Sequence, residues 1–261
     1  MARVFVTGSA DGLGRAAAQT LLGQGHQVIV HARSAARVSA VEDLTHLGAE
    51  VVVGDLSDLD QTRGVADQVN QLGAVDAVIH NAGVSGGRQV LPVNVVAPYV
   101  LTALIDRPQR LVYLSSGMHR GGRADLADLD WGGLRRTGSY SDSKLFVTTL
   151  AVAVAERWPD VFSNAVDPGW VPTRMGGRHA PDDLRLGHVT QVWLATSDDH
   201  AAAETGKYWY HQRKRNHAAT VNDPAFQDKL LAELTRITGE PLPNTADPFQ
   251  MPEKTRATPP Q

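Results

Sequence analysis

Two side chains one helical turn apart carry the clearest chemical signal in this sequence. Tyr140 and Lys144 stand four residues apart at the start of an apolar run with helical character, so both project from one helix face. A phenol with an ordinary pKa of about 10 exchanges protons poorly at neutral pH, and a neighbouring ammonium favours its ionised form. The pair therefore indicates a proton-transfer centre in which Lys144 tunes Tyr140.

A glycine-rich turn near the N-terminus indicates a second function. The segment Thr7-Gly8-Ser9-Ala10-Asp11-Gly12-Leu13-Gly14 follows a β-branched run directly, and a helical pattern begins at once. A helix N-terminus offers unpaired N–H groups and the positive end of a dipole, while glycines let the backbone approach a pyrophosphate. Its position at the first strand-to-helix junction predicts a dinucleotide site, with a plain connecting turn as the alternative.

The elements that must position these groups alternate along the chain. Short, nearly continuous apolar runs predict strands that are buried on both faces, and segments of helical period separate them. With right-handed crossovers this alternation predicts an α/β fold, a Rossmann-type three-layer doubly wound parallel sheet of about seven strands. The predicted strands are residues 4–6, 28–30, 51–53, 75–79, 111–114, 161–166 and about 207–210, and the predicted helices are residues 13–22, 35–47, 59–72, 95–105 and 140–157.

Length and composition limit the classes of protein. A chain of 261 residues with 42% hydrophobic content can bury one full core, so residues 1–240 are predicted to form a single catalytic domain. Residues 241–261 are rich in proline and are predicted to form a loosely ordered tail. The net charge of −3 argues against a nucleic-acid partner.

Targeting and metal signals are weak. No apolar run approaches the about 20 residues of a membrane span, and the N-terminus enters a strand directly, so the expectation is a cytoplasmic protein. Cysteine is absent, and the ten histidines show no metal-ligand spacing, so no metal site is predicted.

Further motifs, in the same order along the chain, resemble those of the short-chain dehydrogenase/reductase family. The pattern Thr-Gly-x3-Gly-x-Gly is joined by His80-Asn81-Ala82-Gly83, and Asp167-Pro168-Gly169 is similar to the family's Pro-Gly turn. The resemblance covers about residues 2 to 210. The long segment between Ser116 and Tyr140 is similar to that of the retinol dehydrogenase/protochlorophyllide reductase-like branch.

The resemblance implies roles for individual residues. Ser116 would polarise the substrate carbonyl, and Asn94 would hold a water that links Lys144 to solvent. Val171 and Thr173 would anchor the nicotinamide, and the next segment, residues 174–185, would form a short substrate lid after the sixth strand. The implied catalytic residues are Ser116, Tyr140, Lys144 and Asn94, and the implied cofactor-binding residues are Gly8, Ser9, Asp11, Gly12, Leu13, Gly14, Arg33, Ser34, Asp55, Leu56, Asn81, Ala82, Gly83, Tyr140, Lys144, Pro168, Gly169, Val171 and Thr173.

The end of the second strand bears on which nicotinamide cofactor binds. An acidic residue there suits the free ribose of NAD, whereas this chain has Arg33 and Ser34, with Arg37 nearby, which suit a 2′-phosphate. Asp11 in the glycine turn opposes this interpretation, because a carboxylate does not help to bind a phosphate. The sequence favours NADP(H), with NAD(H) as the alternative.

These observations predict hydride transfer between a nicotinamide and a carbonyl or secondary alcohol. Met118, His119, Trp131, Trp170 and Met175 are candidates for an apolar pocket, which favours a ketoreductase that acts on a hydrophobic small molecule. A non-catalytic redox sensor of the same fold is the alternative, and the complete tetrad favours the enzyme. In the family the helix that corresponds to the one starting at Tyr140 often forms dimer interfaces, which favours a homodimer or homotetramer, and the branch that the long segment resembles also includes monomers.

Overall fold

A computed structural model describes residues 1–243 of the chain, and these residues form an α/β fold around one sheet. The strands in this part of the chain are β1 (Arg3–Val6), β2 (Gln27–Ala32), β3 (Glu50–Val53), β4 (Ala77–His80), β5 (Arg110–Leu114), β6 (Phe162–Asp167), β7 (Tyr208–Tyr210) and β8 (Arg213–Arg215). The helices are α1 (Gly12–Gly23), α2 (Glu42–His46), α3 (Leu59–Leu72), α4 (Ala97–Leu104), α5 (Tyr140–Arg157), α6 (Leu186–Thr196) and α7 (Pro224–Thr238).

The strand order confirms the predicted doubly wound sheet. The strands lie in the order β3-β2-β1-β4-β5-β6-β7-β8, and every pairing is parallel except that of β7 with β8. The chain runs outward from β1 in one direction to β3 and then crosses to β4 on the other side. Open α/β sheets bind ligands at the carboxyl edge beside such a reversal, so the fold places the candidate site between β1 and β4.

Two apolar cores hold the helical layers against the sheet. Successive side chains of a strand point to opposite faces, and in β1 Phe5 joins one core while Val4 and Val6 join the other. The first core packs α3, α4, α5 and α7, and the second packs α1, α2 and α6. Burial on both faces explains why the strands are continuous apolar runs.

Two predicted helices start differently in the structure. Residues 35–47 begin as a 3-10 helix at Ala35–Val41, and only Glu42–His46 is α-helical. The helix predicted at residues 95–105 is preceded by a single π-type turn at Pro92–Val96 and then becomes α4. Apolar period alone does not distinguish these hydrogen-bond patterns, because all of them bury one face.

Three elements lie where no element was predicted. The strand β8 is Arg-Lys-Arg and exposed, so it lacks the apolar pattern of a strand. It pairs with β7 through a turn in which His211 and Gln212 have positive φ. The helix α6 was also missed. The helix α7 carries recognisable signals, with Asp223 as N-cap, Pro224 at its first position and Gly239 in the left-handed conformation after it.

The structure bears on two further expectations, the lack of a membrane-spanning segment and a loosely ordered C-terminal tail. No helix within residues 1–243 combines the length and the apolarity needed to cross a bilayer. Of the tail predicted at residues 241–261, residues 241–243 extend from α7 without regular secondary structure, and residues 244–261 lie outside the described part of the chain.

Candidate active site

The glycine turn between β1 and α1 is tightly packed against the end of β4. Gly8 and Gly12 have φ of +63° and +54°, which favours glycine. Asn81 donates from Nδ2 to the carbonyls of Thr7 (3.0 Å) and Gly8 (3.3 Å), and Ala82 N–H donates to the Thr7 hydroxyl at 2.9 Å. The predicted Asn-Ala-Gly segment therefore fixes the shape of the turn.

The N-terminus of α1 has the properties of an anion site. Asp11 is the N-cap and accepts from Gly12 N–H at 2.7 Å. The next two N–H groups, of Leu13 and Gly14, find no acceptor among residues 1–243. Unpaired N–H groups at a helix N-terminus fit a pyrophosphate, so this turn satisfies the requirements of a dinucleotide cofactor.

The side chain of Ser9, which the family resemblance assigns to cofactor binding, is instead engaged with the ends of β1 and β2. Its side chain is fully buried, donates to Val6 O and accepts from His31 N–H, both at 2.7 Å. His31 in turn accepts from Gly8 N–H at 3.1 Å through Nδ1 and bonds Gly54 O at 2.7 Å through Nε2. Burial lowers the pKa of His31, which keeps the ring neutral and able to accept from Gly8. His31 was not predicted as a site residue.

Near the end of β2, some side chains make no hydrogen bond and others are hydrogen-bonded or buried. Arg33 is exposed and makes no hydrogen bond or ion pair within residues 1–243. Ser34 is an N-cap whose hydroxyl makes no capping bond. Asp55 accepts through Oδ1 from the N–H (3.0 Å) and hydroxyl (2.8 Å) of Ser57, while Leu56 is buried in the core.

A capping box starts α5 at the candidate catalytic pair. Ser139 Oγ accepts from Asp142 N–H, and Asp142 Oδ2 accepts from Ser139 N–H, each at 3.0 Å. The helix therefore begins at Tyr140, as predicted, and Lys144 follows one turn later. The Lys144 Nζ lies 5.4 Å from the centroid of the Tyr140 ring.

Lys144 is a buried cation with one strong anchor. Its Nζ donates to Leu114 O at 2.6 Å, at the carboxyl end of β5. Burial lowers the pKa of the Lys144 ammonium to about 8, and the charge of Asp167 opposes that shift. The amine therefore titrates close to neutral pH, where a proton-transfer group needs to work.

Ser116 and Tyr140 face each other across the site. Burial raises the pKa of the Tyr140 phenol, the Ser116 hydroxyl opposes the shift, and the Asp167 charge adds to it. The neighbouring Ser115 is buried, and its hydroxyl bonds Thr148 Oγ1 at 2.6 Å beneath the site. Of the two serines, Ser116 is the one beside the phenol.

Asn94 lies in the π-type turn before α4 and is almost fully buried. Its amide bonds both backbone groups of Val84, with Oδ1 accepting at 2.8 Å and Nδ2 donating at 2.9 Å, and Nδ2 also donates to Ser143 Oγ at 3.0 Å. A Cβ on Gly83 would lie 3.4 Å from Asn94 Oδ1 and 3.7 Å from Lys144 Nζ. The Gly83 loop therefore lies beside both the Asn94 amide and the Lys144 ammonium.

The Pro-Gly turn after β6 lies beside the glycine turn. Gly169, which follows Pro168, has φ of +82°, and Val171 is buried. The Thr173 methyl group lies 3.6 Å from where a Cβ on Gly12 would be, and Thr173 Oγ1 accepts from Gly176 N–H at 3.1 Å. The segment that follows the Pro-Gly turn therefore lies against the glycine turn.

The predicted lid, residues 174–185, has no regular secondary structure. It is hydrogen-bonded to Trp170, whose side chain is exposed. The Trp170 indole donates to Gly176 O at 2.8 Å, and Trp170 N–H donates to Asp182 Oδ2 at 2.6 Å. The pocket candidates divide, since Met118, Trp170 and Met175 are exposed while His119 and Trp131 are buried. The candidate role of Trp131 is wrong, because its ring packs in the core against Phe146 at 5.8 Å.

One carboxylate in the site was not predicted to be there. Asp167, the last residue of β6, accepts from Gly169 N–H at 3.0 Å and from the Tyr208 hydroxyl at 3.1 Å. Its place directly before Pro168-Gly169 at the end of a buried strand was the available signal. Within the described residues there is no cluster of three His, Asp or Glu side chains suited to a metal ion.

Comparison with known proteins agrees with this geometry. The family model for short chain dehydrogenase matches residues 2–104. The short-chain dehydrogenase chry4 of Gibberella zeae is 36% identical over 94% of this chain and 100% of its own length. The putative daunorubicin C-13 ketoreductase DnrU of a Streptomyces species is 28% identical over 93% of each chain. A blue fluorescent protein from a metagenomic library, solved with NADPH, has a TM-score of 0.66 at 23% identity and covers 80% of this chain and 95% of its own.

Proposed function

The chain belongs to the short-chain dehydrogenase/reductase family and is an NAD(P)-dependent oxidoreductase, and we propose that it uses NADPH to reduce a ketone on a hydrophobic small molecule. The observation that carries the proposal is the meeting of Ser116, Tyr140 and Lys144 at the sheet edge that also holds the open glycine turn. These groups combine proton transfer with a dinucleotide site, which is what carbonyl reduction requires.

The roles of the side chains follow from their positions. When bound, the nicotinamide supplies the hydride. The Ser116 hydroxyl donates a hydrogen bond to the substrate carbonyl oxygen, and Tyr140 gives its phenolic proton to that oxygen. The Lys144 ammonium stabilises the resulting phenolate. Asn94 acts through its bonds to Val84, which hold the Gly83 loop against the ammonium.

A preference for NADP(H) is supported by the surface beside β2. Arg33 is exposed with its donors free, and the Ser34 hydroxyl beside it makes no capping bond, so both are available to a 2′-phosphate. The Asp11 carboxylate is bonded to Gly12 N–H as a helix cap, which gives its charge a local structural role. The NADPH bound to the blue fluorescent protein supports the same preference.

A hydrophobic substrate is supported by the apolar surface around the cleft. Met118, Trp170 and Met175 expose 56%, 60% and 47% of their surfaces, which is unusual for such large apolar residues in one region. They follow β5 and β6, at the edge where Ser116 lies. The ketoreductase name of the Streptomyces relative is consistent with a bulky ketone.

Transfer of isotope from the cofactor tests the proposal. The purified protein is incubated with NADPH deuterated at the transferable position of C4 and a panel of hydrophobic aryl, terpenoid and polyketide-type ketones. We expect deuterium on the carbinol carbon of at least one product, and a kcat/KM for NADPH at least about tenfold above that for NADH. The proposal is wrong if no ketone in the panel gains deuterium, and the cofactor assignment is wrong if NADH is used equally well.

A further inference from the structure

The Asp167 carboxylate occupies a defined place beside the catalytic groups. It ends β6, next to the strand that leads into Ser116, and it is half-buried. One oxygen accepts from Gly169 N–H and the other from the Tyr208 hydroxyl, at 3.0 and 3.1 Å. A Cβ on Gly117 would lie 3.2 Å from Oδ2, so a side chain on the residue that follows Ser116 would press against this carboxylate.

Tyr208 is packed tightly against its neighbours, and its hydroxyl fixes the position of the Asp167 carboxylate. The Tyr208 side chain is 2% exposed and its ring packs against the buried His119 with centroids 4.6 Å apart. His119 is fixed in turn by Ser116 O at 2.7 Å and by Ala218 N–H at 3.1 Å. The carboxylate therefore has one orientation, which a residue that selects substrates requires.

The charge of Asp167 acts on both proposed proton-transfer groups. It raises the pKa of Tyr140 and opposes the lowering of the pKa of Lys144, and no other carboxylate in residues 1–243 acts on either group. Other titratable or charged groups also face this cluster. They are His119 and Arg120 after β5, Tyr208 and Tyr210 on β7, His211 stacked on Tyr210, Asp182 in the lid, Arg215 on β8 and His217 after it. Asp167, at the end of the strand beside the one that leads into Ser116, is thus a carboxylate whose charge reaches both proton-transfer groups.

This position has a consequence for the substrate. A carboxylate has about four acceptor sites, and the two bonds to Gly169 and Tyr208 leave acceptor capacity for a ligand. A substrate carbonyl between Ser116 and Tyr140 brings its neighbouring carbon close to Asp167. A hydrogen-bond donor on that carbon is attracted, and a carboxylate is repelled in this partly dehydrated cleft.

We propose that Asp167, oriented by Tyr208, is a specificity-determining residue that selects carbonyl substrates with a hydroxyl or ammonium donor beside the reactive carbon and rejects those with a carboxylate there. This inference rests on the proposed function, because it takes the carbonyl to lie between Ser116 and Tyr140.

Binding of four matched alcohols tests it without requiring turnover. Isothermal titration calorimetry measures the Kd of 2-amino-1-phenylethanol, 1-phenylethane-1,2-diol, 1-phenylethanol and mandelate for the NADP⁺ complex of each protein. The wild type should bind the amine and the diol at least about tenfold more tightly than mandelate. Asp167→Asn, which keeps the shape and loses the charge, should reduce the amine-to-mandelate ratio to within about threefold of unity.

Two further variants exclude a packing effect. Tyr208→Phe keeps the carboxylate charge and the ring packing but removes the hydrogen bond that orients Asp167, so the preference for the amine over mandelate should weaken and still exceed that of Asp167→Asn. Asp167→Ser also removes the charge and replaces the asparagine variant if that variant does not fold. An unchanged ratio in the neutral variants overturns the inference, as does a wild type that binds all four ligands equally or binds none.

The two proposals fail in different experiments. If deuterium is transferred to ketones but the ligand order is independent of Asp167, only the specificity inference is wrong. If no deuterium is transferred while the ligand order depends on Asp167, the cleft has the proposed selectivity and the reductase assignment is wrong.

Discussion

At the scale of single residues, burial of the Lys144 ammonium has a measurable consequence. With its pKa lowered to about 8, Lys144 is charged below that pH and loses its charge as the pH rises through it. Since the charged form stabilises the Tyr140 phenolate, kcat/KM for ketone reduction should be constant at neutral pH and fall above about pH 8. A profile that stays flat to high pH contradicts this role.

Lys144→Arg is the matched variant for that profile. A guanidinium stays charged throughout the range, so the decline near pH 8 should disappear even if the overall rate is lower. A variant whose profile still declines at the same pH would show that another group titrates there.

The cofactor preference depends on one exposed side chain. Arg33→Asp should shift the ratio of kcat/KM for NADPH over NADH toward NADH by about 100-fold or more. The substitution replaces a cation that donates hydrogen bonds to the 2′-phosphate by an anion that repels it. Arg213→Asp, the same change on the exposed strand β8 near the opposite edge of the sheet, is the control and should have a much smaller effect. Equal effects of the two substitutions would indicate a general surface-charge effect.

The residues that were predicted from the sequence belong to motifs whose members lie a few positions apart in the chain. Tyr140, Lys144 and the glycines of the first turn belong to local patterns, and the structure brings them to one edge of the sheet. Asp167 and His31 were not predicted, because their contacts are with residues far away in the chain. A side chain defined by such contacts leaves no periodic signal in the sequence.

At the scale of elements, the glycine turn works as a rigid connection between β1 and α1. A Cβ on Gly14 would lie 2.3 Å from Asn81 Nδ2 and 2.6 Å from Gly8 O, and the latter is backbone that cannot move aside. Gly14→Ala should therefore destabilise the protein by about 1–3 kcal/mol and weaken NADPH binding at least about tenfold. Urea unfolding and a fluorescence titration measure the two effects.

Gly23→Ala supplies the control in the same helix. Nothing lies within 4 Å of a Cβ at Gly23, so alanine there should leave NADPH binding unchanged and alter stability by less than about 1 kcal/mol. If both glycine variants behave alike, close packing of the turn is not what requires Gly14.

The elements that escaped prediction lack the signals on which sequence reasoning depends. The strand β8 contains no apolar residue, and only its hydrogen bonds to β7 identify it as a strand. The π-type turn at Asn94 differs from an α-turn only in which carbonyl each N–H bonds. By contrast, the start of α5 was predicted at the correct residue from the local Tyr-x3-Lys pattern and the apolar run that follows it.

At the scale of the whole molecule, buried neutral histidine makes the fold sensitive to acid. His80 is fully buried beside Tyr113, and burial lowers its pKa from 6.5 to about 3. Between these values the unfolded chain binds a proton that the folded chain does not, so stability falls as the pH falls. The expected slope is about 1.4 kcal/mol per pH unit for this one group.

His80→Asn removes that titration and tests the origin of the slope. Between pH 6 and pH 4.5 the free energy of unfolding of the variant should depend on pH less steeply than that of the wild type, by about 1.4 kcal/mol per unit. Urea unfolding at several pH values gives both slopes. Equal slopes would mean that His80 is protonated in the folded protein.

The overall architecture was largely predictable because a parallel sheet with two covered faces imposes a strong pattern. The strands β1 to β5 contain short apolar runs, whereas β6 also buries Ser163 and Asn164. The crossovers fix the order once the strands are known. What the pattern does not contain is the contact between distant turns, such as Thr173 beside Gly12.

The central claim is that the Tyr140 phenol transfers the proton in a site that binds the cofactor independently of it. The most direct test compares Tyr140→Phe with Tyr210→Phe, which removes a hydroxyl from β7 by the same substitution. For Tyr140→Phe, kcat for ketone reduction should fall at least about 1,000-fold while the Kd for NADPH changes less than about threefold, and Tyr210→Phe should remain active. A Tyr140→Phe enzyme that reduces ketones at close to the wild-type rate would contradict the account.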